Sequence, residues 1–378
     1  MKILFVCGGG VIYGKEITTL SSIKGLREKG HDVRCITSTW GNAFAKRLDA
    51  LLIPYVRVPL GFISKVLRWD TLYMTFAQLV RAPELWKGYH RYVKDFDPDI
   101  IIHTNFHHLL LLWPFLDPKR TVFRVHDYFE PKMLYRCLIK FLGMKLRAFI
   151  GVSNFIRNSI IQLGISESKA FSVLNGAEAL ESNGPQRSNT AIVTVGIVGQ
   201  VAEWKGHDDL IEALRILKSR QIFPQCIIFG EGDPSYVNSL RQKIDRYGLQ
   251  EKIHLSGYEG DRQRIYSQID ICVLPSRCQD PCPIVAIEAQ YFGIPVIAAR
   301  RGGVPEIILD GKTGYLVNAQ SPHEIAERLE RLIENPDLRK KMGDAARIHA
   351  SQHFTLERMV QEIEDLLLTM APVNRTHV

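Results

Sequence analysis

The chain alternates short apolar, β-branched runs with helical stretches, and it does so twice. Ile3–Cys7 opens the first series, followed by a glycine-rich turn and a helical stretch from Lys15 to Lys29. Further runs stand at Val33–Thr37, Tyr55–Val58, Ile100–His103, Val122–His126 and Phe149–Val152. A polar stretch from Glu181 to Asn189, with Gly184 and Pro185, reads as a linker. The pattern then restarts, with strands expected at Val193–Val198, Gln225–Phe229, Lys252–Leu255, Ile269–Leu274 and Pro295–Ala299. Helices are expected at His207–Arg220, Val237–Tyr247, Val285–Phe292 and Pro322–Asn335. Such alternation predicts parallel sheets covered by helices, an α/β fold of two Rossmann-like, doubly wound domains. Ligands of such domains bind beyond the carboxyl ends of the strands, so a cleft between the two is the expected site.

Composition narrows the class. A length of 378 residues suffices for two separate cores. No apolar run approaches the ~20 residues of a membrane span, and Leu109–Leu116 is interrupted by Pro114. Lys2–Cys7 is too short for a signal peptide and runs straight into glycines. Seven scattered cysteines, an odd number, fit reduced thiols in the cytosol. Residues 1–185 hold 25 Lys and Arg against 15 Asp and Glu, whereas the remainder holds 23 against 25. The basic first half points to an anionic partner such as a membrane surface; a basic pI without any partner is the alternative.

The segment Ser276-Arg277-Cys278-Gln279-Asp280-Pro281-Cys282-Pro283-Ile284-Val285-Ala286-Ile287-Glu288-Ala289 carries the chemistry. Asp280 and Glu288 flank an expected strand-to-helix turn set by two prolines. A helix N-terminus offers unpaired N–H groups and suits a phosphate, and a carboxylate on either side could hold hydroxyls flanking a diphosphate. The alternative makes Asp280 an N-cap with proline at N1, and Glu288 a solvated helix residue. Lys205, just before a helix start, is placed to neutralise a diphosphate, or is simply exposed. Gly8-Gly9-Gly10 with Gly14 is looser than a dinucleotide fingerprint. Asp95–Asp99 reads as a helix-to-strand loop. His103, His107 and His108 lack a neighbouring carboxylate, and Cys278 and Cys282 lack the spacing of a zinc site, so no metal is expected.

Together these motifs resemble the retaining nucleotide-sugar glycosyltransferases of family four, of GT-B fold. Gly199–Gly206 is similar to the family's Gly-Arg-x-x-x-x-Lys-Gly turn, and Phe229–Gly232 to its Gly-x-Gly loop. Asp280 to Glu288 resembles its Glu-x7-Glu, and Gly302–Glu306 its Gly-Gly-x-x-Glu. Asp310–Val317, Tyr13–Glu16 and Val125–Asp127 are further matches. The resemblance implies an acceptor-side domain over residues 1–182, a donor domain over 190–350, and a terminal helix crossing back within 351–378. Lys205 would pair with the donor phosphates, Glu288 would hold the ribose, and Asp280 would grip the sugar. His126 would face the sugar, and Gly14 would let its loop approach the diphosphate. Amides of Cys282, Pro283 (through its neighbours), Ile284 and Val285 would cap phosphate or sugar, and Gly257 and Tyr258 would lie beside the base. Gln200 stands where many members have arginine, Asp280 where glutamate is usual, and Tyr13 where glycine is common. The implied reaction is front-face and metal-independent, with no cofactor beyond a UDP- or GDP-sugar substrate and no protein nucleophile. The acceptor would be a glycan or a lipid-linked molecule; no nucleic acid is expected. The protein would be cytoplasmic. Over Lys132–Arg147 basic residues lie between apolar ones at helical spacing, which suits peripheral contact with an anionic membrane or, equally, an ordinary amphipathic helix packed on its own sheet with a solvated basic face. Two alternatives share the architecture: a sugar-nucleotide epimerase or phosphorylase, and a non-catalytic nucleotide-sugar-binding protein.

Overall fold

The computed structural model describes residues 1–8, 12–61, 69–179 and 192–371. The expected linker over 181–189, and Gly9 and Gly10, lie outside these described residues. The chain divides into two units: residues 1–175 with the segment from Leu356 onward, and Gly176–Thr355.

The first unit runs β1 (Lys2–Val6), α1 (Gly14–Glu28), β2 (Asp32–Ser38), α2 (Ala43–Ala50), β3 (Tyr55–Val58), α3 (Trp69–Val80), α4 (Ala82–Phe96), β4 (Ile100–His103), α5 (Phe106–Leu112), β5 (Thr121–Val125), α6 (Met133–Gly143), β6 (Ala148–Gly151), α7 (Asn154–Gln162) and β7 (Ala170–Ser172). Its seven strands are ordered β3-β2-β1-β4-β5-β6-β7, and every pairing is parallel. Ile100–His103 is buried throughout, as a central parallel strand with helices on both faces must be. The acidic loop after α4 is as expected: Asp97 takes the left-handed conformation that ends the helix, and β4 starts three residues later.

The second unit runs β8 (Thr194–Val198), α8 (His207–Ser219), β9 (Gln225–Phe229), α9 (Pro234–Tyr247), β10 (Ile253–Gly257), α10 (Arg262–Ser267), β11 (Ile271–Leu274), α11 (Ile284–Tyr291), β12 (Val296–Ala299), β13 (Gly314–Val317), α12 (Pro322–Glu334) and α13 (Pro336–His353). Its six-stranded parallel sheet is ordered β10-β9-β8-β11-β12-β13. Helix α9 shows why these boundaries fall where they do. Asp233 caps the N-terminus by accepting from the Ser235 and Tyr236 amides, Pro234 fills N1, and left-handed Gly248 ends the helix. In α8 the apolar positions Leu210, Ile211, Leu214 and Leu217 recur at helical spacing and are all buried against the sheet.

The last helix, α14 (Leu356–Met370), returns to the first unit. Leu356, Met359, Val360, Ile363 and Leu367 join the core formed by β1, β2 and α1. At about 1.5–3 kcal/mol for each fully buried side chain, an upper bound, this helix is integral to that core. Glu364 seals its edge, with His31 Nε2 at 2.7 Å and Lys29 Nζ at 2.8 Å. Within the second unit, Ala177 donates its amide to the Phe354 carbonyl at 2.9 Å, so the segments at the two ends of that unit run side by side.

Candidate active site

In the second sheet the strand order reverses between β8 and β11, and the crevice at such a point is where open α/β sheets bind ligands. The loop after β8 carries Lys205; the loop after β11 carries Asp280. They meet, with Lys205 Nζ 3.0 Å from Asp280 Oδ2. Both side chains are largely buried, and the ammonium also lies 4.2 Å from the Trp204 ring centroid.

Several features hold these loops together. Gly206 is left-handed (φ 77°), and a Cβ there would fall 2.0 Å from the Pro275 carbonyl oxygen, so only glycine lets the Lys205 turn lie on the end of β11. Arg277 donates its backbone amide to the Trp204 carbonyl and clamps Asp209 of α8 with two hydrogen bonds of 2.8 Å. Gly303 donates to the Asp280 carbonyl at 2.8 Å, and a Cβ on Gly302 would strike that same carbonyl. The Gly-Gly turn is therefore the floor under Asp280.

Asp280 is not the cap of α11. Pro283 holds that position, three residues on, with extended backbone. Glu288 is not solvated either: it is 7% exposed. Its Oε1 accepts from Arg262 Nη1 at 3.2 Å and its Oε2 from the Tyr266 hydroxyl at 2.9 Å. Burial raises the Glu288 pKa, while Arg262 and Tyr266 oppose that rise. Both structural alternatives for this carboxylate pair therefore fail. Of the other expected contributors, Cys282, Pro283 and Ile284 are buried at the start of α11, and Val285 is half-buried. Gln200 and Tyr258 are exposed, and Gly257 is left-handed at the end of β10.

The first unit has its own reversal, between β1 and β4. Gly14 is the first residue of α1, with open space where a Cβ would stand. The glutamate of its motif has a structural role: Glu16 Oε2 accepts from the Tyr13 amide at 3.1 Å, tying down the start of α1. His126, one residue past β5, is buried, and its Nε2 has no hydrogen-bond partner among the described residues. Burial, then Arg124 and Lys15, hold its pKa well below the ordinary value, so the imidazole is neutral. Burial likewise pushes His103 down to about 3. Among the described residues no group of three or more His, Cys, Asp and Glu side chains could hold a metal ion.

The motifs gain their context from comparison with known proteins. Residues 12–179 match the model described as Glycosyltransferase Family 4, and residues 183–349 match Glycosyl transferases group 1. The chain belongs to glycosyltransferase family four. Its GT-B fold is shared by HepE of Anabaena, solved with UDP and glucose, at a TM-score of 0.80, 22% identity, and coverage of 98% of this chain and 100% of that one. The D-inositol 3-phosphate glycosyltransferase of Corynebacterium glutamicum is 33% identical over 162 residues, which is 41% of this chain and 38% of that protein. The capsular polysaccharide biosynthesis glycosyltransferase CapM of Staphylococcus aureus is 23% identical over 254 residues, 62% of this chain and 66% of that protein. The matches thus span from under half to about two thirds of these curated relatives' length. Among the described residues no helix of this family member is long and apolar enough to cross a membrane.

Sequence reasoning missed Arg262, Tyr266 and the Arg277–Asp209 clamp. A signal for the first two was present: their i, i+4 spacing puts them on one face of α10.

Proposed function

We propose that this glycosyltransferase moves a hexosyl group from a UDP- or GDP-sugar to a hydroxyl of a glycan or lipid-linked acceptor, with retention and without a metal ion. The contact between Lys205 and Asp280 at 3.0 Å, at the reversal of the donor sheet, carries this reading. It sets a cation and a carboxylate side by side at a ligand crevice, with buried Glu288 about one turn into the adjoining helix. An incoming diphosphate competes with Asp280 for Lys205, which leaves Asp280 available to the sugar hydroxyls. Glu288 takes the ribose, amides from Cys282 to Val285 face the phosphate, and Gln200, Gly257 and Tyr258 flank the nucleotide. Gly14 and the neutral His126 keep the roles that the family resemblance implies for them.

The step needs charge stabilisation more than covalent help. The bond from the anomeric carbon to the phosphate oxygen breaks, and its electron pair leaves with the diphosphate. The acceptor oxygen bonds the same face of that carbon, and its proton passes to a phosphate oxygen. Lys205 and the N-terminus of α11 are fixed positive groups for the leaving charge.

A membrane-presented acceptor is favoured by α6. Met133, Leu134, Phe141 and Met144 are exposed beside Lys132, Arg136 and Lys140. Apolar side chains among cations suit the interface of an anionic bilayer, at its cytoplasmic side where nucleotide sugars are made. CapM's name, which places it in capsular polysaccharide biosynthesis, makes a lipid-linked saccharide the first acceptor to try, and the UDP bound by HepE makes UDP-sugars the first donors. The test is transfer from α-linked UDP- and GDP-sugars in the presence of EDTA, with the product's anomeric configuration read by NMR. An α-linked product formed at an undiminished rate is expected. A β-linked product, a metal requirement, or free sugar without transfer contradicts the proposal.

A further inference from the structure

Among the described residues the carboxylate of Glu288 is held from one side only, by α10. Arg262 engages Oε1 and Tyr266 engages Oε2. Tyr266 is fully buried, and its ring lies 5.0 Å from that of Phe292 in a stacked arrangement, so its hydroxyl has a fixed aim. Its pKa is pushed well above 10 by burial and by Glu288, so it stays a donor. A carboxylate has about four acceptor positions. One on each oxygen is taken, leaving one on each oxygen for further donors. Two hydroxyls on adjacent carbons, as in a ribose cis-diol, match that remainder.

We infer that Arg262 and Tyr266 are positioning residues that keep Glu288 ionised and turned to receive both ribose hydroxyls of the donor nucleotide. This rests on the reading of Glu288 as the nucleotide carboxylate. Arg262 is the decisive member, because a buried carboxylate without a cation favours its neutral form. The other groups around Glu288 do not substitute for it. Cys272 on β11 is a buried thiol, β12 is apolar, and Arg347 of α13 instead donates to the Phe292 carbonyl at the far end of α11. Glu178, 3.7 Å from Arg262 Nη2, competes for the same guanidinium.

The test is calorimetry with UDP and 2′-deoxy-UDP, or with the corresponding GDP or ADP pair if that diphosphate binds tighter. Wild type, Arg262→Gln, Arg262→Lys and Tyr266→Phe are compared at pH 8 and pH 6, each checked by thermal melting. Wild type prefers the ribonucleotide. Arg262→Gln loses on the order of tenfold more ribonucleotide affinity at pH 6 than at pH 8, the effect of one nearby opposite charge. Arg262→Lys restores most of that loss. Tyr266→Phe narrows the preference for ribose over deoxyribose at both pH values, since an unmatched buried polar group is what rejects the deoxy analogue. The diphosphate titrates alike in every protein, so the differences between variants are the readout. A folded Arg262→Gln with the wild-type pH profile, or equal losses at both pH values with the ribose preference intact, overturns the inference. Wild type that binds none of UDP, GDP or ADP overturns the nucleotide reading itself, and this inference with it.

Discussion

At the residue scale the proposed site centres on one ion pair. Lys205 and Asp280 lie 3.0 Å apart, and the proposal gives each a separate assignment once a donor binds. Removing only the lysine leaves a largely buried carboxylate uncompensated, which costs about 3 kcal/mol of stability. Lys205→Ala is therefore expected to melt lower and to lose about 10²-fold in kcat/KM. The double variant Lys205→Ala/Asp280→Asn separates the two effects: its melting temperature recovers, and its turnover does not. Recovery of turnover together with stability would show that the lysine serves the fold alone. The pairing itself was beyond reach of the sequence. The partners lie 75 positions apart, and only the strand order of the sheet brings them together. The motif residues were legible because glycine, proline and charge at fixed spacing are local signals.

At the scale of elements, glycines and hydrogen-bonded turns set the loops, and buried faces set the helices. Gly206→Ala must relieve both a positive φ and a collision with the Pro275 carbonyl, a backbone atom that cannot swing aside. The expected cost is about 2 kcal/mol or more, with weakened donor binding because the Lys205 turn lifts. Unchanged melting and unchanged donor affinity would contradict this account of the turn. Helix α6 is testable by sedimentation with anionic and neutral vesicles: salt-sensitive binding to anionic vesicles alone is expected, reduced by Arg136→Glu with Leu134→Ser. Full recovery in the supernatant under every condition would point to a soluble acceptor. Strands were readable because parallel strands covered on both faces are continuous β-branched runs, and the expected bounds of Ile100–His103 and Gln225–Phe229 match the structure. Where extents differ, a specific contact explains it. The expected strand from Ile269 starts at Ile271, because the Ile269 amide still donates to the Tyr266 carbonyl in the turn that ends α10. The expected helix over Lys132–Arg147 stops at Gly143, because Leu146 turns inward ahead of β6. Its Ile139 and Leu142 also face the core, so fewer apolar residues face outward than the composition implied.

At the scale of the whole molecule, both units bury neutral histidines. His103 in the first is held down to about 3 and His207 in the second to about 4, in each case by burial. In the unfolded chain both titrate near 6.5. Below that value the unfolded state takes up protons that the folded state refuses, so stability is full above about pH 6.5 and falls as pH drops toward 4. His207 alone contributes on the order of 3 kcal/mol to that fall. The melting temperature should decline measurably between pH 7 and pH 5, a range mostly above carboxylate titration. A flat profile there would mean that these imidazoles reach solvent. The GT-B fold itself follows from two rounds of strand and helix, whereas donor and acceptor identity depend on loop geometry that no periodicity encodes. The central claim is that the reversal of the second sheet binds a nucleotide through Glu288, and calorimetry with UDP, GDP and ADP tests it most directly. One of the three should bind wild type, and Glu288→Gln should lose about tenfold or more in affinity for that free diphosphate. Equal affinity in a folded Glu288→Gln, or no binding of any of the three to wild type, would contradict it.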